Sequence, residues 1–135
     1  MQTRKLIEEL LGKGKRIAVP VTDFEKREIA LAEIRGTEEL ELKSSGLLEP
    51  KRTALRLLSV KEIGLVVVPG IAFDKVGTRI GTGYGFYDKL LRKISSSVPL
   101  VGFCFEENLE KRLPAESHDI KMNIIVTEKQ VIRCE

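Results

Sequence analysis

The chain opens on a helical pattern. Leu6, Leu10 and Leu11 recur at helical spacing among charged neighbours, and Gly12 and Gly14 close the segment. The period then changes. Arg16-Ile-Ala-Val-Pro-Val21 is a compact strand candidate, and Ile29-Ala-Leu-Ala-Glu-Ile34 predicts a second. Residues 35–50 are polar and punctuated by glycine, and they read as loop running into Leu47-Leu48-Glu49-Pro50. Leu65-Val-Val-Val68 is continuously apolar and stops at Pro69-Gly70, the pattern of a strand buried on both faces of a parallel sheet. Tyr87, Leu90, Leu91 and Ile94 follow helical spacing up to the cluster Ser95–Ser97 and Pro99. Leu100-Val-Gly-Phe-Cys-Phe105 and Asn123-Ile-Ile-Val-Thr127 predict further strands, with a short helix expected between them near Asn108–Leu113. Strands alternating with helices indicate an α/β sandwich. The 135 residues carry no repeat, low-complexity tract or linker, and read as one domain.

Composition narrows the function classes. Lys and Arg number 23 against 20 Asp and Glu, a net charge of +3, too small to define a nucleic-acid or membrane surface. With 42% hydrophobic and 32% charged residues, the chain is too apolar for intrinsic disorder. No apolar run approaches the roughly 20 residues of a membrane helix, and the first residues do not read as a signal peptide. Cys104 and Cys134 form no C-x-x-C pair, and they define neither a zinc site nor a disulfide framework. A reducing compartment follows, and the expectation is a cytoplasmic protein.

Glycine is unevenly placed. Five of the eleven (Gly70, Gly77, Gly81, Gly83 and Gly85) fall between the most apolar strand candidate and a helix. Their centre is Arg79-Ile80-Gly81-Thr82-Gly83-Tyr84-Gly85-Phe86-Tyr87-Asp88. Glycines spaced by two let backbone N–H groups approach an anion closely. A helix start directly after them favours phosphate. Arg79 offers a bidentate clamp, and Asp88 a carboxylate for Mg²⁺. The spacing matches neither G-x-x-x-x-G-K-[ST] nor G-x-G-x-x-G. A tight strand-to-helix connection needing positive φ explains the glycines equally well. Gly83-Tyr-Gly-Phe-Tyr87 also resembles the centre of an RNA-recognition signature. However, Thr82 stands where Lys or Arg is required, and the residues after it are helical in period.

Longer motifs are more specific. Val67-Val-Pro-Gly-Ile-Ala-Phe-Asp74, followed by Gly77-x-Arg79-Ile-Gly-x-Gly-x-Gly-Phe-Tyr-Asp88, resembles the 5-formyltetrahydrofolate cyclo-ligase (5,10-methenyltetrahydrofolate synthetase) family. Gly46-Leu-Leu-Glu-Pro50 is similar to that family's G-I-L-E-P segment. Leu113-Pro-x-x-x-His118-Asp119 and Ile124-Ile-Val-Thr-Glu128 are similar to its H-D…I-V-T-E segment. The four motifs stand in order, and the resemblance runs from about Thr3 to the end.

The resemblance implies a three-layer α/β/α sandwich with a mostly parallel sheet, related to sugar-phosphate isomerases and CoA transferases. It implies an enzyme that uses ATP and Mg²⁺ to convert 5-formyltetrahydrofolate into 5,10-methenyltetrahydrofolate, ADP and phosphate. A formamide oxygen is a poor leaving group; phosphorylation activates it, and the N10 amine then closes the ring. Such chemistry depends on positioning and neutralising charge more than on a protein nucleophile. By resemblance, Arg79 and Tyr87 act in catalysis. Arg79, Ile80, Gly81, Thr82, Gly83, Tyr84, Gly85, Phe86 and Tyr87 hold ATP, with Thr82 to Phe86 also bordering the folate. Asp88 and Asp119 are the implied Mg²⁺ ligands. Read as isolated residues, Asp88 suits the first turn of a helix and Asp119 a turn.

The remaining candidates are weaker. His118, the only histidine, reads as structural, because the reaction needs no acid–base pair of this kind. Phe73 and Phe86 suit stacking on pterin or adenine, or simple packing. Lys51, Arg52 and Arg56 read as a solvated helix face, or as a seat for a polyglutamate tail. Two features depart from the family. Its N-terminal stretch, with a helix whose Lys and Arg reach ATP and a Glu that contacts folate, has no counterpart here. Gly-Phe-Tyr-Asp-Lys also replaces the common Gly-Tyr-Tyr-Asp-Arg, so Phe86 lacks a hydroxyl and Lys89 a planar fork. A second copy covering an edge left open by the shorter front makes a homodimer the expected assembly. Two further readings stay open: a non-catalytic phosphate-ligand binder of the same fold, and, remotely, an RNA-binding protein.

Overall fold

The first apolar stripe folds as helix α1 (Thr3–Gly12) in the computed structural model, which describes residues 3–43, 48–51, 55–81, 85–117 and 119–134. Its end is set by glycine. Gly14 has φ +79°, the Lys15 amide donates to the Leu10 carbonyl, and the Gly14 amide donates to that of Leu11. This is the Schellman pattern, which needs a left-handed residue that only glycine adopts without strain. The chain divides into two units, Met1–Val60 and Lys61–Glu135.

In the first unit, β1 (Ile17–Asp23) and β2 (Glu28–Ile34) form an antiparallel hairpin, as the two strand candidates predict. The Asp23 carboxylate caps the turn by accepting the amides of Glu25 and Lys26. Pro20 is tolerated because β1 is an edge of its sheet. The stretch read as loop contains more structure than expected. A 3₁₀ turn at Thr37–Glu39 leads into β3 (Leu40–Leu42), which pairs antiparallel with β4 (Leu48–Pro50). Leu40 is the reason: it is buried with Val19 and Ile34, and Ile7, Ile17 and Leu48 pack around them. β5 (Leu57–Leu58) adds to β2 where a helix face was expected around Arg56.

The second unit is built on the order β12-β11-β9-β6. β6 (Val66–Val68), β9 (Leu100–Phe103) and β11 (Ile124–Val126) run parallel, and β12 (Val131–Arg133) pairs antiparallel with β11. Among the described residues the antiparallel ladders outnumber the parallel ones, so a mostly parallel sheet is not what the pairings show. Val68 is fully buried but Val67 is 38% exposed, so β6 is not buried on both faces as its sequence suggests. Its β-branched run reflects strand propensity as well as burial. β7 (Ala72–Asp74) and β8 (Arg79–Ile80) form a second hairpin, flanked by β10 (Leu109–Glu110) parallel to β7. The helix expected near Asn108–Leu113 is instead a 3₁₀ turn at Glu106–Asn108 followed by β10.

One core holds this unit. Val68, Phe73, Leu91, Leu100, Cys104, Met122 and Ile125 are buried together. Gly102 lets the Phe73 ring lie against β9: a Cβ there would stand 2.5 Å from Phe73 Cε1. Phe73 is 0% exposed, which corrects the stacking role considered for it. Helix α2 (Phe86–Leu91) turns Leu90 and Leu91 inward as its spacing predicts, but it buries Phe86 where Tyr87 was expected and ends before Ile94. No helix among the described residues is long and apolar enough to cross a membrane.

Candidate active site

A β7–β8 hairpin leads into the glycine-rich segment, which runs from β8 toward α2. Gly77 has φ +95°, its amide donates to the Asp74 carbonyl, and a Cβ there would overlap the Met122 carbonyl oxygen. The hairpin presents Arg79 and Ile80 on β8, directly ahead of Gly81. Thr82, Gly83 and Tyr84 lie outside the described residues, so three of the expected ATP-binding positions have no structural account. Gly85, with φ +72°, directly precedes α2. Phe86, Tyr87 and Asp88 form the first turn of that helix.

Two of the predicted residues meet. Arg79 Nη2 donates to Asp88 Oδ1 at 2.8 Å, and Arg79 Nη1 donates to the Pro69 carbonyl at 3.0 Å. The Arg79 side chain is only 5% exposed, whereas that of Asp88 is 52% exposed. Asp119 lies on another loop, where its carboxylate accepts the Glu116 amide at 2.8 Å and its amide donates to the Glu116 carbonyl. His118 lies outside the described residues. Among those described, no three His, Cys, Asp or Glu gather into a metal cage. The donor set nonetheless suits Mg²⁺ bound with a nucleotide, since that ion takes one or two carboxylates and completes its shell from phosphates and water. The Gly81 backbone lies against the Arg79 guanidinium, since a Cβ there would stand 2.8 Å from Arg79 Nη1.

Sequence reading missed Asp74. This carboxylate is fully buried at the end of β7. Oδ1 accepts the amides of Val76 and Thr78 at 3.1 and 2.9 Å, and Oδ2 accepts that of Leu113 at 2.9 Å. Burial pushes its pKa up, but the N–H donors of Leu113, Thr78 and Val76, with the Thr78 hydroxyl, outweigh that and hold it below the ordinary aspartate value. Asp74 thereby ties the turn before Arg79 to the segment before Asp119. A signal was available, because an acid between an apolar strand and Gly77 is a natural turn-capping residue.

Arg56 also differs from expectation. It donates to both Glu39 oxygens at 2.8 and 3.1 Å, and the Arg35 amide donates to the same carboxylate. The Arg56 hydrogen bond, then the Arg35 amide, lower the Glu39 pKa to about 2. Arg52 lies outside the described residues.

A mixed α/β protein with an arginine–aspartate pair on a glycine-rich turn is the class these observations define. The model of the 5-formyltetrahydrofolate cyclo-ligase family matches residues 1–128, and the chain belongs to that family of enzymes. It is 31% identical over 133 residues to the 5-formyltetrahydrofolate cyclo-ligase of Escherichia coli K12, covering 97% of this chain and 73% of that protein. The Mycolicibacterium smegmatis 5-formyltetrahydrofolate cyclo-ligase is 31% identical over 130 residues, covering 94% of this chain and 67% of its own length. Among solved structures, the NMR structure of Aquifex aeolicus 5,10-methenyltetrahydrofolate synthetase matches with a TM-score of 0.76 and 32% identity. That match covers 96% of this chain and 63% of the Aquifex chain.

Proposed function

We propose that this protein converts 5-formyltetrahydrofolate to 5,10-methenyltetrahydrofolate with consumption of ATP and Mg²⁺ and release of ADP and phosphate. The observation that carries this reading is the Arg79–Asp88 pair, set on the motif that resembles the family's nucleotide turn and within a chain that matches the family over residues 1–128. Bound Mg·ATP supplies the phosphoryl group that makes the formyl oxygen a leaving group. The chain's own part is to bind and to orient. Asp88 and Asp119 are the carboxylates assigned to the metal, and the Gly81–Tyr87 backbone, with Ile80 beside it, is assigned to the phosphates. Tyr87 is assigned to catalysis, Arg79 is assigned beside it as the partner that holds Asp88, and Thr82 to Phe86 border the folate. Charge neutralisation of this kind contributes most of the catalysis in phosphoryl transfer.

The finer architecture belongs to the same proposal. We read the two units as a single cyclo-ligase domain in a three-layer α/β/α arrangement, working in the cytoplasm as a homodimer on a small-molecule folate, without nucleic acid or membrane. The test is stoichiometry. One ADP is expected for each methenyl product formed from 5-formyltetrahydrofolate, with none formed when Mg²⁺ is chelated. ATP binding without product would assign the chain a binding role instead.

A further inference from the structure

The resemblance gives Arg79 a direct hold on ATP phosphates, yet its surroundings point elsewhere. Its side chain is 5% exposed, and both terminal nitrogens are engaged, Nη1 on the Pro69 carbonyl and Nη2 on Asp88 Oδ1. Backbone closes around it from two sides. A Cβ at Gly70 would stand 3.0 Å from Arg79 Cγ, and one at Gly81 would stand 2.8 Å from Nη1. To reach a ligand, the guanidinium would have to leave the Pro69 carbonyl and the Asp88 carboxylate. Asp88 is the outward member of the pair, 52% exposed at the start of α2.

We propose that Arg79 is a positioning residue for Asp88, orienting the carboxylate for the metal, rather than a phosphate contact. This rests on the functional reading above, since it takes Asp88 as the Mg²⁺ ligand. A half-exposed aspartate samples several rotamers. A planar fork anchored on Pro69 fixes one of its oxygens and so fixes the direction of the carboxylate. Hydrogen bonds that orient a ligating carboxylate are typically worth ten- to a hundredfold in metal affinity. The buried arginine thus acts on the metal's place in the site, and on the nucleotide only through that metal.

Arg79→Lys is the discriminating variant, because lysine keeps the charge but loses the fork that joins Pro69 and Asp88. ATP affinity is measured by calorimetry, first with EDTA and then with Mg²⁺. Mn²⁺ retained by the nucleotide complex is counted by electron paramagnetic resonance. The variant should keep its metal-free ATP affinity within about twofold, while the gain on adding metal falls about tenfold or more. The double variant Arg79→Lys/Asp88→Asn should show the same metal gain as Asp88→Asn alone. Arg79→Met should repeat the metal loss; where that variant fails to fold, Arg79→Lys decides alone. An Arg79→Lys affinity changed by one common factor with and without metal, or changed in neither, overturns this inference and leaves the functional reading standing. A wild-type chain that binds no ATP under either condition overturns both.

Discussion

Asp74 Oδ2 accepts the amide N–H of Leu113 at 2.9 Å, joining segments 39 residues apart in sequence. The other oxygen serves Val76 and Thr78, so one carboxylate holds the hairpin turn ahead of Arg79 and the stretch ahead of Asp119. Replacing it with asparagine sets an amide NH₂ against a buried N–H. Asp74→Asn is expected to cost about 2–3 kcal/mol in urea denaturation. The folded-state pKa lies below the unfolded value. The ionic part of the stability is therefore complete above about pH 4 and is lost as pH falls through the folded value. The gap between wild type and variant should narrow below about pH 4. A gap that widens in acid would contradict the role given to these N–H donors.

Gly77 and Gly85 separate two ways in which glycine is required. Both have positive φ, but a Cβ at Gly77 meets the Met122 backbone while one at Gly85 meets open space. Gly77→Ala should cost about 3 kcal/mol, combining left-handed strain with a clash that needs backbone movement. Gly85→Ala should cost only about 1 kcal/mol, from conformation alone. Equal losses in denaturant midpoints would show that the Met122 contact does not matter.

Glu39 should titrate near 2, because Arg56 and then the Arg35 amide favour its ionised form. Carboxyl-detected NMR reads this directly. Arg56→Met should move that titration upward toward the ordinary glutamate value of about 4.3. The depressed pKa makes the ionised pair stabilising above the ordinary value, and that contribution fades as pH falls toward 2. An unmoved Glu39 titration would mean that Arg56 is not its main partner.

Phe73 should behave as packing. Phe73→Leu is expected to lower stability by about 1–3 kcal/mol and to leave the KM for ATP and for folate within about twofold. A selective rise in either KM would restore the stacking role.

Much of this was legible because local chemistry and tertiary packing agree. The α1 stripe with its Gly14 cap, the Ile29–Ile34 strand and the Leu90–Leu91 face of α2 each follow from spacing alone. The short strands were not legible. β3 exists because Leu40 finds Val19, and β10 because Leu109 pairs beside Phe73, partners that are distant in sequence. At the site, the motif brought Arg79 and Asp88 to notice but not the burial of the one and the exposure of the other. That asymmetry comes from Gly70, Gly81 and Pro69, which shape a cage only after the hairpin has formed.

The most direct test of the central claim is the absorbance of 5,10-methenyltetrahydrofolate after adding 5-formyltetrahydrofolate, ATP and Mg²⁺ to this chain. We predict product formation that requires ATP and Mg²⁺ and that falls at least about a hundredfold in Asp88→Asn. No product from the wild-type chain, or product that persists undiminished in Asp88→Asn, would contradict the account.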